Sequence, residues 1–245
     1  MNKKLLKSAI LALLCASSLL SAQYFNIRNR ADRLEWIDVK KYSWGFYLNM
    51  NDFDYNVSEI DKNQKMVTSK TSSSFGAGLI GRMRLNEHLD LKLEPGMQFL
   101  ERELIFKRAE VLAANPQDIE SFTSRKIKST YVDVPLLLEF HGNRWFNSRV
   151  YVAGGVNWLI NLQSQEKSRD DNMNGVFRTT THNLAWSAEL GIQFYFSKFK
   201  LTPGFRGTFV INNELVRDNP STPDYWAGSL SRLNTRAFMF ILKFE

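Results

Sequence analysis

The stretch Tyr131 to Phe140, YVDVPLLLEF, admits few folds. Val132, Val134, Leu136, Leu138 and Phe140 fall on one side of an alternating pattern; Tyr131, Asp133, Pro135, Leu137 and Glu139 fall on the other. Side chains alternate across a strand, so the segment has one wholly apolar face and one that carries two carboxylates. In a water-soluble barrel the apolar face lines the interior. In a membrane barrel it meets lipid, and the polar set fills the lumen.

The N-terminus bears on that choice. MNKKLLKSAILALLCASSLLSAQ has a basic start (Lys3, Lys4, Lys7), an apolar run from Ile10 to Leu20 and a small residue at Ala22. This reads as a secretory signal over residues 1–22, its apolar run too short for a spanning helix. Cys15 follows Leu14, where a lipoprotein signal wants a small residue. Cleavage after Ala22 removes the sole cysteine, so no intramolecular disulfide is expected. Losing Lys3, Lys4 and Lys7 also takes the formal net charge from +7 to +4. With no basic stripe to match phosphates, no nucleic-acid partner is expected.

Residues 23–41 are polar and mixed in charge, and read as a periplasmic arm. Alternation then recurs along the chain. It predicts strands over Tyr42–Asn51, Ser74–Leu85, His88–Phe99, Tyr131–Phe140, Arg149–Leu162, His182–Phe196, Lys200–Ile211 and Arg232–Phe244. Asn86–Glu87, 141–148 and 197–199 are short connections; 57–73, 107–124, 163–181 and 213–231 are long and polar. Short turns on one side and long loops on the other are the mark of an outer-membrane barrel, with both termini then periplasmic. Tyr42, Trp44, Trp158, Trp186, Phe196 and Phe244 lie near strand ends on the apolar face, as an interfacial girdle does. The expected fold is all-β: an eight-stranded antiparallel transmembrane β-barrel in an up-and-down meander, over residues 42–245.

The charges sort with the polar face. Arg82, Arg84, Lys92, Glu94, Asp133, Glu139, Arg149, Glu189 and Arg206 all stand opposite the Val/Leu/Phe set. In a narrow lumen such charges are expected to neutralise one another, because an unpaired buried charge costs several kcal/mol. Eight strands leave an interior just wide enough for side chains, which favours a salt-bridged plug over a charged ion path. Pro95, Pro135 and Pro203 interrupt this pattern, since proline cannot donate to a ladder. Bulges at Pro95-Gly96 and Pro203-Gly204 are the simplest resolution; alternation offers none for Pro135.

YVDVPLLLEF resembles the signature strand of small eight-stranded outer-membrane barrels of Bacteroidetes. WGFYLNMNDFDYNV, from Trp44, narrows the likeness to the PorT-like (SprT) members associated with type IX secretion and gliding. The resemblance runs from about Tyr42 to Glu245 and implies a non-enzymatic accessory of secretion. Its partners would be outer-membrane lipid and other secretion proteins, reached through the arm 23–41 and the long loops. It carries no catalytic, cofactor or metal residues. A small porin-like channel or a surface-adhesion barrel is the alternative, and a lipid-modifying enzyme a third.

Two motifs bear on those alternatives. Asp170 to Gly175 fits the first half of a calcium loop, but Thr181 stands where the closing Glu belongs, and a polar Asn-Gly loop tip is the plainer reading. His182, Ser187 and Glu189 have the residue types of a rim triad, yet His182 falls in the lipid-facing register and the other two in the lumen.

Overall fold

The computed structural model describes residues 34–60, 67–107, 123–223 and 226–245. The signal 1–22, the arm up to residue 33, and residues 61–66, 108–122 and 224–225 of the expected loops lie outside them. The described chain opens with a short helix, α1 (Glu35–Val39), within the stretch 23–41 read as a periplasmic arm. Ten strands follow: β1 (Tyr42–Glu59), β2 (Val67–Thr71), β3 (Ser73–Arg84), β4 (Leu89–Leu93), β5 (Gly96–Phe106), β6 (Ser124–His141), β7 (Ser148–Asn161), β8 (His182–Tyr195), β9 (Lys200–Val210) and β10 (Leu230–Phe244).

All pairings are antiparallel, and β2–β3 and β4–β5 each form one interrupted stave. The ten segments therefore make a ring of eight, closed by β1 against both β10 and β3. The expected apolar face points outward: Trp44, Leu48, Met50, Leu138, Phe140, Val150, Trp158, Leu190 and Phe238 are all exposed, in register around the wall. Aromatic pairs belt it near both ends. At the short-turn end Phe46 stacks on Phe244 at 4.9 Å and Phe196 on Phe199 at 4.9 Å. At the long-loop end Trp158 stacks on His182 at 5.7 Å and Trp186 on Phe209 at 4.7 Å.

The strands run further toward the long loops than alternation alone indicates. Of the expected loop 57–73, β1 takes the first residues and β2 the last. The reason is a bulge that alternation hides. Thr71 pairs with Arg102 and Phe75 with Phe99, so four steps on one strand oppose three on the other. The extra residue at Ser72 reverses which side chains of β2 face inward, burying Val67. It also puts β2 out of phase with β1. Side chains span that seam instead: the Ser69 hydroxyl accepts from the Tyr55 N–H at 3.3 Å, and Glu59 accepts from the Val67 N–H at 3.0 Å.

The prolines make no bulges, contrary to expectation. Leu93 and Gly96 pair with Gly81 and Gly78 on one side and with Leu136 and Asp133 on the other, three steps against three. The same holds for Leu201 and Gly204 against β10 and β8. Each proline simply leaves one ladder bond unmade in an unbroken register. At Pro135 a side chain makes good the loss. Glu94 donates its N–H to the Pro135 carbonyl at 3.1 Å, but the Glu94 carbonyl receives nothing back from proline. The Tyr47 hydroxyl, from inside the barrel, lies 3.4 Å from that carbonyl and donates to it.

Candidate functional site

The lumen is filled from end to end, in layers set by which residues face inward at each level. At the short-turn end α1 closes the opening. Leu34 and Ile37 pack on Tyr195, and Asp38 accepts from the Tyr195 hydroxyl at 2.9 Å. Arg149 and Arg144 lie 3.3 and 3.4 Å from the same carboxylate, and Arg82 donates to the Ile37 carbonyl at 2.6 Å. Residues 34–41 thus dock as a plug at this opening.

Above it stands a layer of buried ion pairs. Arg82 meets Asp90 at 3.1 Å, Lys92 meets Glu139 at 2.7 Å and Glu245 at 3.1 Å, and Lys200 meets Glu245 at 2.7 Å. The next layer is a square. Lys243 bridges Glu94 at 2.7 Å and Glu189 at 2.6 Å, while Arg206 bonds Glu189 at 2.7 Å and also pairs with Glu94. The Tyr151 hydroxyl donates to Glu189 at 2.6 Å. Glycine makes room for the closing tyrosines: a Cβ at Gly96 would collide with the Tyr47 hydroxyl, and one at Gly204 with that of Tyr151.

Of the nine inward charges read from sequence, Arg82, Lys92, Glu94, Glu139, Glu189 and Arg206 meet in these layers. Arg149 turns to Asp38 and Gln193, the latter at 2.6 Å. Arg84 stays at the half-exposed rim and donates to the Asn86 carbonyl at 3.1 Å. Asp133 is fully buried, with Asn157 donating to it at 3.0 Å and no ion pair within 4.0 Å among the described residues. Asp90, Lys200, Lys243 and Glu245 were missed as partners. Asp90, Lys200 and Lys243 share the inward register, and that signal was available. Glu245 follows the last strand and gave none.

Toward the long loops the filling becomes apolar. Phe53, Leu100, Tyr131, Leu159, Ala185 and Val210 form a waist. Above it Arg102 is buried with Tyr55, Ser129, Tyr131 and Thr235, its guanidinium 3.7 Å from the Tyr55 ring centre. A second cluster, including Val67, Leu104, Phe106, Ile127, Phe177, Trp226 and Leu233, caps the mouth. The connection after β9 turns inward to place Glu214 in the barrel, where burial pushes its carboxyl above the ordinary range.

The calcium-like segment forms a loop tip of a different kind. The Asp171 carboxylate accepts from the Met173 N–H at 3.0 Å, capping a single 3-10 turn (Asn172–Asn174), and Gly175 ends it with a left-handed φ of 76°. The same carboxylate accepts from the Thr222 hydroxyl at 2.5 Å and the Asn219 N–H at 3.1 Å, tying two long loops together. His182 faces outward on Trp158, Ser187 bonds Thr208 at 2.7 Å within the lumen, and Glu189 belongs to the charged square, so the three do not assemble.

Solved outer-membrane proteins align with most of the chain at low identity. The crystal structure of OprG from Pseudomonas aeruginosa is 11% identical, with a TM-score of 0.40, over 82% of this chain and 93% of that one. Neisserial surface protein A gives 7% identity and a TM-score of 0.42, over 83% and 98%. AlkL, solved by solid-state NMR in DMPC bilayers, gives 11% and 0.39, over 82% and 88%. No curated protein sequence matches the chain significantly. The sequence profile described as the outer membrane protein beta-barrel domain matches residues 22–216. With that match spanning most of the chain, the protein belongs to the outer-membrane protein β-barrel domain family.

Proposed function

We propose that this outer-membrane barrel works by protein contact, as a non-enzymatic accessory of type IX secretion, with both chain ends on the periplasmic side. The observation that carries the mode of action is the sealed lumen. Paired charges, an apolar waist and a mouth cluster fill it in succession, beneath which α1 covers the short-turn opening. An eight-strand interior filled in this way has no room for a polypeptide. The resemblance of YVDVPLLLEF and WGFYLNMNDFDYNV to PorT-like barrels supplies the system it serves.

The working surfaces are then the arm ahead of α1 and the long loops. Deleting Gln23 to Arg33 behind the signal leaves the docked plug in place, and should impair cargo secretion while the barrel keeps its heat-modifiable gel mobility. The purified protein should give no large, stable conductance in planar bilayers. Such a conductance, together with normal secretion by the deletion, would favour the small porin-like channel instead.

A further inference from the structure

We propose that the barrel mouth is a binding site for an amphipathic monocarboxylate, with Arg102 as the carboxylate receptor and Glu214 as the chain's own occupant of that position. The inference stands apart from the secretion reading and rests on the unusual state of Arg102. Its side chain is 1% exposed, yet among the described residues it has no ion pair within 4.0 Å. Its fork reaches only hydroxyls: Thr235 at 2.8 Å, Tyr131 at 3.1 Å and Ser129 at 3.4 Å. The Nε hydrogen has no acceptor, and the Tyr55 hydroxyl beside it is likewise buried without a partner. The Tyr55 ring face, 3.7 Å from the guanidinium, offsets part of the cost of burying this cation but gives its fork no acceptor, and a planar guanidinium fork matches a carboxylate edge to edge.

Glu214 stops short of that match. It accepts from the Tyr131 hydroxyl at 3.3 Å, the hydroxyl to which Arg102 itself donates, so the two charges communicate through a relay. It sits on a connection rather than a strand, anchored by main-chain bonds from its own N–H to Leu233 at 2.9 Å and from Thr180 to its carbonyl at 3.0 Å. Burial also works against its ionised form. Its other oxygen accepts from the Thr235 N–H, so a carboxylate that reaches Arg102 directly displaces Glu214 by taking over that main-chain donor as well.

The surroundings set the ligand class. Among the described residues one cation, Arg102, serves the layer, which suits a monoanion better than a phosphate dianion. Tyr55, Ser129 and Thr235 supply hydroxyl donors for its oxygens. Among the described residues no cavity stands open beside Arg102, so a ligand enters only by displacing the Glu214 connection. What it then meets is the apolar mouth cluster of Leu104, Phe106 and Trp226, which makes the rest of the ligand apolar.

The test uses the full mature chain in lipid nanodiscs and equilibrium dialysis of radiolabelled octanoate, with octanol and empty nanodiscs as controls. Wild type should bind octanoate above the empty-disc level and octanol no better than empty discs. Glu214→Ala should bind octanoate about tenfold tighter, because the internal competitor is gone. Arg102→Met should abolish binding. Tyr55→Phe removes one hydroxyl without touching a charge, and should weaken binding about threefold while folding as wild type. Equal binding of octanol, no octanoate binding even by folded Glu214→Ala, or affinities unmoved by both Glu214→Ala and Tyr55→Phe would overturn the assignment.

Discussion

The two halves of the barrel interior are filled by opposite means. Toward the short turns, Arg82, Lys92, Lys200, Arg206 and Lys243 each meet a carboxylate, from strands or from Glu94 at the interruption between β4 and β5 and Glu245 just after β10. Toward the long loops, one buried arginine sits among hydroxyls between two apolar clusters, and loop residues such as Glu214, Phe177 and Trp226 complete the packing. The difference teaches where the stability of each half resides. The charged half is held by pairwise electrostatics within a regular wall, the apolar half by burial that depends on loops folding inward.

The comparison breaks most visibly at Arg206. Arg206→Leu leaves Glu94 and Glu189 sharing Lys243 alone, and removing one partner of a buried pair typically costs about 3–5 kcal/mol. Urea unfolding followed by heat-modifiable mobility should show that loss. Arg102→Leu loses hydroxyl bonds and the Tyr55 ring contact but relieves a buried cation that has no direct carboxylate, so it should cost less, about 1 kcal/mol. Equal costs would mean that the two halves do not differ as described. In the other direction, Leu104→Ala opens a cavity in the mouth cluster and should cost about 2–5 kcal/mol. Because this cluster includes loop residues, hydrogen exchange should rise first in the long loops and spare β6 to β8 near the short turns.

The same contrast explains what the sequence made legible. A strand buried on one face writes its register into alternation, so the wall and most of the charged half could be read residue by residue. Arg102 was missed because the expected strand stopped at Phe99, where the outward residues change from Phe99 to Glu101 and Glu103 and the apolar signal ends. Glu214 was missed because a loop residue has no periodicity to declare its direction. The bulge at Ser72 was hidden in polar sequence, while the prolines drew bulges onto places where the register runs on unbroken. The docking of α1 depends on Asp38, Arg144 and Tyr195, which are 106 and 157 positions apart in sequence from Asp38.

Asp133 sharpens the comparison from within the charged half. It is the buried carboxylate there without an ion pair, although alternation gives it the same standing as Glu139. Asp133→Asn keeps the shape and allows a hydrogen bond to Asn157 while removing an uncompensated charge. Its effect should be small, about 1 kcal/mol or less, and in the stabilising direction. A loss on the scale of Arg206→Leu would show that the Asp133 charge is compensated after all.

The smallest expected effect lies at the mouth, where acid should test the bond between the two long loops. Burial acts to raise the Asp171 carboxyl, but bonds from the Thr222 hydroxyl and the N–H groups of Asn219 and Met173, with the charge of Arg178, outweigh it and hold the carboxyl below its ordinary range. A group shifted down stabilises the fold at every pH above its unfolded value, roughly 3.9, and loses that contribution only as pH falls through the lowered one. Asp218 is shifted the other way, chiefly by burial, against bonds from Asn172 and the Ala227 N–H. Its ionised form is the disfavoured one, so protonating it strengthens the closed loops. Together these require that acidification from neutral pH to about 4 leave the loop contact intact or firmer, with loosening only below. Limited proteolysis of the long loops across that range reads it directly, and Asp171→Asn should flatten the low-pH loss. Cleavage that rises already above about pH 5 would show that Asp171 does not hold the mouth together in this way.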